Sequence, residues 1–287
     1  MFKRILWLFL ATVIYHCPVN AAAQLPFISY ISIPVKTETE SWLLSAQFRQ
    51  PKLATSSPLP AVIILHSSAG VDKTGSFYAS ALNRAGIATL EVDLWGARNL
   101  QGGSANRPSS PQETLPDVFA SLAYLAQNPN IDSTRIGVIG FSWGGVLSLL
   151  TATEQYMSMA GMPYRFAGHV AHYPVCWLFN NVPGFELSGL TGSPVMIQTG
   201  DRDDYDLPET CPLLAANLAE QDKAFVQVKV YPRAYHAWDR LEPKLVVEDP
   251  YANLGQGGEV TLAPNYMAAY KSRYKVVKFF KGLFELE

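Results

Sequence analysis

The chain has 287 residues, 48% hydrophobic and 16% charged, a balance that supplies a core and excludes a disordered chain. Its formal net charge is −2, with no basic run beyond the first few residues, so a nucleic-acid partner is set aside. Twenty glycines and twenty prolines fit many short loops rather than low complexity.

The N-terminus reads as an address. Lys3 and Arg4 precede an apolar run over residues 5–15, and Ala21, Ala22 and Ala23 offer small residues for cleavage. The run is too short to span a bilayer, which needs ~20 residues. Residues 1–23 are therefore expected to be a signal peptide and residues 24–287 a single domain, exported to the periplasm or secreted. His16 is too bulky to precede a lipid-modified Cys17, so no stable membrane anchor is expected. Without Cys17, Cys176 and Cys211 remain, and two cysteines in an oxidising compartment commonly pair.

Residues 28–35 and 43–48 alternate as a pair of strands, and the Ser/Pro-rich stretch 51–60 is a loop. Residues 61–65 (AVIIL) form a continuous apolar run, expected for a strand covered on both faces, and end in the turn His66-Ser67-Ser68-Ala69-Gly70. A helix is expected over 76–85, stopped by Gly86, then a strand over 87–92. Residues 96–111 lack periodicity and read as a long surface loop, the kind that often lines a site. Helical spacing returns at 116–127. The run IGVI at 136–139 is a buried-type strand that leads through a glycine-rich turn into a helix ending near Leu150. Strands follow at 168–172, 195–199 and 226–231, with helices at 212–221 and 266–284. Strands separated by helices predict an α/β fold, a mainly parallel sheet with helices on both faces.

The turn is Gly140-Phe141-Ser142-Trp143-Gly144-Gly145. A strand enters it and an apolar helix leaves it, the context in which a Gly-x-Ser-x-Gly serine stands exposed above a sheet. Glycines are needed because flanking Cβ atoms would clash in so sharp a turn. A serine nucleophile needs a base and an orienting acid. The chain order Ser, acid, His selects His236, in a loop after the strand 226–231. His66 suits the turn beside an oxyanion site, and His169 and His172 suit core roles. The acid belongs after the strand 195–199, in Asp201-Arg202-Asp203-Asp204-Tyr205-Asp206. Asp203 is the first candidate and Asp204 the second. The other carboxylates, Asp201 and Asp206, are expected to be solvated.

The segments GFSWGG, TGDRDDYDLP and YPRAYHAWD resemble the motifs of the dienelactone hydrolase family within the α/β-hydrolase superfamily. The resemblance extends to ILHSSAG, VDLWGAR and DVFASLAYLAQNPNIDSTRIGVIG, covering about residues 60–285. It implies the α/β-hydrolase fold and places nucleophile, acid and histidine on Ser142, Asp203 and His236. Asp203 matches the family's Gly-x-x-Asp register, counted from Gly200. It also suggests that Cys176 bridges Cys211. One departure is Ser142 itself, because the best-known members carry cysteine there. Serine points towards general carboxylic-ester or lactone hydrolysis of a small molecule rather than dienelactone chemistry.

In such a mechanism the backbone N–H groups of Trp143 and Ser67 are the expected oxyanion donors. Arg98, in a loop after a strand, is a candidate contact for a substrate carboxylate or else a structural ion pair. Trp143, Trp177 and Tyr205 are candidates to wall an apolar pocket. No metal-ligand spacing and no dinucleotide fingerprint occurs, so no cofactor is implied. The rival readings are a small serine peptidase or amidase and an exported binding protein on a hydrolase fold. The sequence does not specify an oligomeric state.

Overall fold

The computed structural model describes residues 25–52 and 57–286. The expected signal peptide and part of the loop 51–60 lie outside the described residues. One sheet holds strands β1 (Phe27–Lys36), β2 (Ser41–Gln50), β3 (Leu59–Leu65), β4 (Ala88–Asp93), β5 (Ile131–Phe141), β6 (Gly168–His172), β7 (Val195–Gly200) and β8 (Val226–Tyr231). Their spatial order is β1-β2-β4-β3-β5-β6-β7-β8. The pairs β1–β2 and β2–β4 are antiparallel, and every pair from β4 to β8 is parallel. A two-stranded ribbon, β9 (Leu245–Asp249) with β10 (Gly258–Leu262), stands apart.

The helices are α1 (Lys73–Arg84), α2 (Leu115–Ala126), α3 (Trp143–Leu150), α4 (Glu154–Met159), α5 (Cys176–Asn181), α6 (Thr210–Ala216), α7 (Glu220–Lys223), the single turn α8 (Ala252–Gly255) and α9 (Tyr266–Leu283). The central strand β3 shows why the sheet needs cover on both sides. Its Val62 and Ile64 pack with residues of α1 and α9, while Ile63 and Leu65 pack with residues of α2 and α3. A strand buried on both faces has no use for polar alternation, hence AVIIL. Asp72 caps α1, accepting from the N–H of Thr74 at 2.8 Å. Gly86, at φ 83°, takes the left-handed position that ends the helix turn.

The structure departs from the expected elements in several places, and α4 and α5 lie where no helix was expected. The helix expected over 212–221 is two, because Ala219 is extended (φ −60°, ψ 149°). The break lets the buried carboxylate of Asp222 accept from the N–H groups of Gly189 and Leu190, at 3.0 and 3.2 Å. The ribbon β9–β10 fills a stretch in which no element was expected. Among the described residues, no helix is long and apolar enough to cross a membrane.

Because β3 to β8 are parallel, the loops leaving their C-terminal ends gather along one edge of the sheet. That edge is where open α/β sheets place their sites. The loops after β5, β7 and β8 bring Ser142, Asp203 and His236 there.

Candidate active site

Ser142 occupies a backbone conformation that serine avoids, φ 51° and ψ −108°, between β5 and α3. The surrounding glycines make it possible. A Cβ on Gly140 would lie 1.8 Å from the carbonyl oxygen of Gly144, and one on Gly144 would lie 2.3 Å from that of Leu65. A Cβ on Gly145 would meet the His172 carbonyl oxygen at 2.7 Å. The Gly144 N–H donates to the His66 carbonyl at 3.1 Å, and the Ser142 N–H to that of His172 at 2.9 Å. The turn is thus clamped by backbone on both sides.

The Ser142 Oγ lies 2.9 Å from His236 Nε2. On the other side of the imidazole, Nδ1 lies 2.8 Å from Asp203 Oδ2 and 3.0 Å from Oδ1. A carboxylate can only accept, so Nδ1 carries the proton and Nε2 faces the serine with its lone pair. The Tyr205 N–H donates to Asp203 Oδ1 at 3.0 Å and fixes the carboxylate. All three side chains are buried. The His236 ring is held between the rings of Tyr173 and Tyr205, with centroids at 4.7 and 4.5 Å. Tyr173 is anchored in turn, donating its O–H to the buried Asp239 at 2.7 Å, as Tyr78 does. Burial and the Asp239 charge push both phenols up, so they remain donors.

The four carboxylates after β7 divide their work. Asp203 meets His236, whereas Asp204 Oδ2 accepts from the Thr261 N–H at 2.6 Å and so holds the ribbon. Asp201 accepts from the Arg233 N–H at 2.5 Å. Asp206 corrects the expectation of a solvated group. It is buried and accepts from the N–H groups of Cys176 and Trp177, at 2.6 and 2.8 Å, capping α5. Burial, then the Asp203 charge, pushes its carboxyl up to about 7.

That cap supports a strained segment. Tyr173 and Val175 have φ of 39° and 54°, a region costly for bulky and β-branched residues. The chain is held there by Asp206 and by a disulfide between Cys176 and Cys211, with Cα atoms 5.1 Å apart. The reward is the position of α5, whose Trp177 and Leu178 face a cleft of about 430 Å³ that reaches Ser142. Trp143, Trp177 and Tyr205 all line this cleft.

Trp143 opens α3, so its N–H is one of the helix's four unpaired donors. Among the described residues that N–H has no backbone acceptor, whereas Ser67 is bridged to Gly70 across its own turn. His66 shapes the Ser67 turn. Its Nε2 accepts from the Leu94 N–H at 2.9 Å, leaving Nδ1–H to donate to the Ser67 carbonyl at 2.6 Å. Burial lowers its pKa, which keeps this neutral form.

Arg98 is not in the cleft. Its Nη1 pairs with Asp117 at 2.7 Å, and its guanidinium lies 4.6 Å over the Trp42 ring. Asp117 is fully buried and needs that cation, so Arg98 is the structural ion pair. The arginine lining the cleft is Arg107, from the loop expected to border a site, and it pairs with Asp249 at 3.0 Å. Asp249 arrives on the ribbon β9–β10, in a stretch where no element was expected. His169 and His172 are buried within the sheet, His169 Nδ1 on the Ser148 carbonyl and His172 Nε2 on the Gln198 amide.

A mainly parallel sheet carrying serine on a strained strand-to-helix turn, with histidine and carboxylate delivered by later loops, defines an α/β-hydrolase. The dienelactone hydrolase family model matches residues 45–283, and the chain belongs to that family. A Bradyrhizobium protein described as a probable 2-oxo-3-(5-oxofuran-2-ylidene)propanoate lactonase is 25% identical over 192 residues, 63% of this chain and 73% of that one. Among solved structures, the Pyrobaculum calidifontis esterase superposes with a TM-score of 0.64 at 15% identity, covering 91% of this chain and 87% of that one. The metagenomic dienelactone hydrolase-like promiscuous phosphotriesterase P91 gives 0.60 at 19%, covering 89% and 98%. The fold is that of hydrolytic, esterase-like enzymes.

Proposed function

We propose that the protein is a serine hydrolase of carboxylic esters, acting through an acyl-enzyme on Ser142. The observation that carries this reading is the line from Ser142 Oγ through His236 to Asp203, with contacts of 2.9 and 2.8 Å, at the wall of an apolar cleft. His236 Nε2 takes the Ser142 proton as Oγ attacks the ester carbonyl. The tetrahedral intermediate collapses when His236 returns that proton to the leaving alcohol. Water, deprotonated by the same nitrogen, then releases the acid and restores the serine. Asp203 holds the tautomer and stabilises the imidazolium formed in each half. The N–H groups of Trp143 and Ser67 supply the oxyanion donors, each worth ~3–4 kcal/mol in comparable sites.

Ester and lactone leaving groups depart more readily than amines, and the Bradyrhizobium relative is described as a probable lactonase. The test is turnover of 4-nitrophenyl butyrate by the wild-type protein and by Ser142→Ala. The reading expects the alanine variant to lose at least about a thousandfold in kcat, the scale of losing a triad nucleophile. Retention of most activity by a folded variant overturns it. Export through residues 1–23 is part of the proposal. The Cys176–Cys211 disulfide supports it, since such bonds persist in oxidising compartments. The mass of the mature protein, short of those residues, is its check.

A further inference from the structure

The cleft wall is apolar around Val146, Leu178, Val182 and Phe185, and Arg107 is the only cationic side chain among the described residues lining it. An arginine in such a place ordinarily invites a carboxylate. Here the invitation is already answered. The Arg107 Nη2 lies 3.0 Å from Asp249 Oδ1, and both side chains are buried, at 7% and 3% exposure. Its Nη1 donates to Ser68 Oγ at 2.8 Å. The guanidinium carbon lies 5.7 Å from the Trp143 ring centroid and 5.3 Å from that of Tyr251. Asp249 is equally committed, accepting from Tyr205 O–H on Oδ2 at 2.8 Å and from the Tyr251 N–H on Oδ1 at 2.9 Å.

The carboxylate next to the catalytic histidine is negative: Asp203 lies behind His236. An anionic substrate entering this cleft would shed its hydration without finding an unbalanced cation, and it would approach the Asp203 carboxylate. Burying a charge on those terms is costly, whereas an alkyl ester gains from the apolar wall.

We propose that the cleft selects neutral esters with apolar acyl groups, and that Asp249 sets this selectivity by neutralising Arg107. This rests on the serine-hydrolase reading above. It is also the reverse of a carboxylate-binding role for the cleft's arginine. Removing the Asp249 charge would leave Arg107 unbalanced and open the cleft to anions.

Dimethyl adipate and its own product, monomethyl adipate, form the test, because they differ only in one methyl group and one charge. The wild-type protein is expected to favour the diester by at least about a hundredfold in kcat/KM, so that hydrolysis stops at the monoester. In Asp249→Asn that ratio is expected to shrink at least about tenfold, the size of one unbalanced charge in a partly buried site. The double variant Arg107→Gln/Asp249→Asn, which removes both charges of the pair, guards against a poorly folded first variant. Its ratio should return to the wild-type level, because neither an unbalanced cation nor an unbalanced carboxylate remains in the cleft. A wild-type protein that takes both esters equally overturns the inference. So does a folded Asp249→Asn variant that keeps the wild-type ratio. A fluorophosphonate reaction on the same samples separates the two levels. Protein that is labelled yet indifferent to charge fails the selectivity and leaves the serine reading standing, whereas unlabelled, inactive protein fails both.

Discussion

Asp203→Asn replaces one carboxylate oxygen by an amide nitrogen at a point where both oxygens are in use. Oδ2 lies 2.8 Å from His236 Nδ1, while Oδ1 lies 3.0 Å from it and also accepts the Tyr205 N–H. The Tyr205 N–H keeps the amide oxygen on its own side, which turns the NH₂ towards Nδ1. The imidazole answers by moving its proton to Nε2, and the nitrogen facing Ser142 is then a donor rather than a base. The same change in a serine-protease triad lowers kcat ~10⁴-fold, about 5 kcal/mol in the barrier, and that is the loss expected here. Steady-state kcat on 4-nitrophenyl butyrate across neutral to alkaline pH, with circular dichroism as a check on folding, measures it. Asp204→Asn is the comparator. Its carboxylate serves the Thr261 N–H of the ribbon, so its effect should be small beside that of Asp203→Asn. A folded Asp203→Asn enzyme within tenfold of wild type refutes the reasoning, as does a crippled Asp204→Asn with a mild Asp203→Asn.

Asp206→Asn is expected to act on stability, and with a pH signature. The folded protein holds this carboxyl at about 7, whereas the unfolded chain releases the proton near ~3.9, so its contribution is full below pH ~4 and declines as pH rises to about 7. Urea unfolding at pH 5 and pH 8 should show wild type losing on the order of 2 kcal/mol relative to the variant, and a pH-independent difference would refute the assignment. Replacing Cys176 and Cys211 together by serine should cost ~3–4 kcal/mol of stability for a bond closing a separation of 35 residues, and should raise KM by loosening α5. Thiol titration of the denatured, unreduced protein checks the bond itself, and two reactive thiols from these positions would contradict it.

The parts of this molecule that were legible in the sequence are those whose cause is local. AVIIL and IGVI are strands because residues covered on both faces must be apolar throughout, and GFSWGG is a sharp turn because three Cβ atoms would collide with backbone. The expected strand at 168–172 coincides with β6. What escaped depends on partners far along the chain. Arg98 and Arg107 are nine residues apart in similar loop sequence, and only the fold reveals that Asp117 takes the first and Asp249 the second. Asp206 reads as surface because it sits in a run of charges, yet the left-handed backbone at Val175 turns two N–H groups towards it. The ribbon β9–β10 is hard to read because LVVED and GEVTL pair mainly with each other, outside the sheet, and their burial is too shallow to impose a clear pattern.

The proposed nucleophile can be tested directly by mass spectrometry of the protein after reaction with a fluorophosphonate, with the adduct mapped by proteolysis. One adduct per chain, on the peptide containing Ser142 and absent from Ser142→Ala, is the expected result. No adduct on the folded wild-type protein, or an adduct that persists in Ser142→Ala, would contradict the assignment of Ser142 as the activated serine.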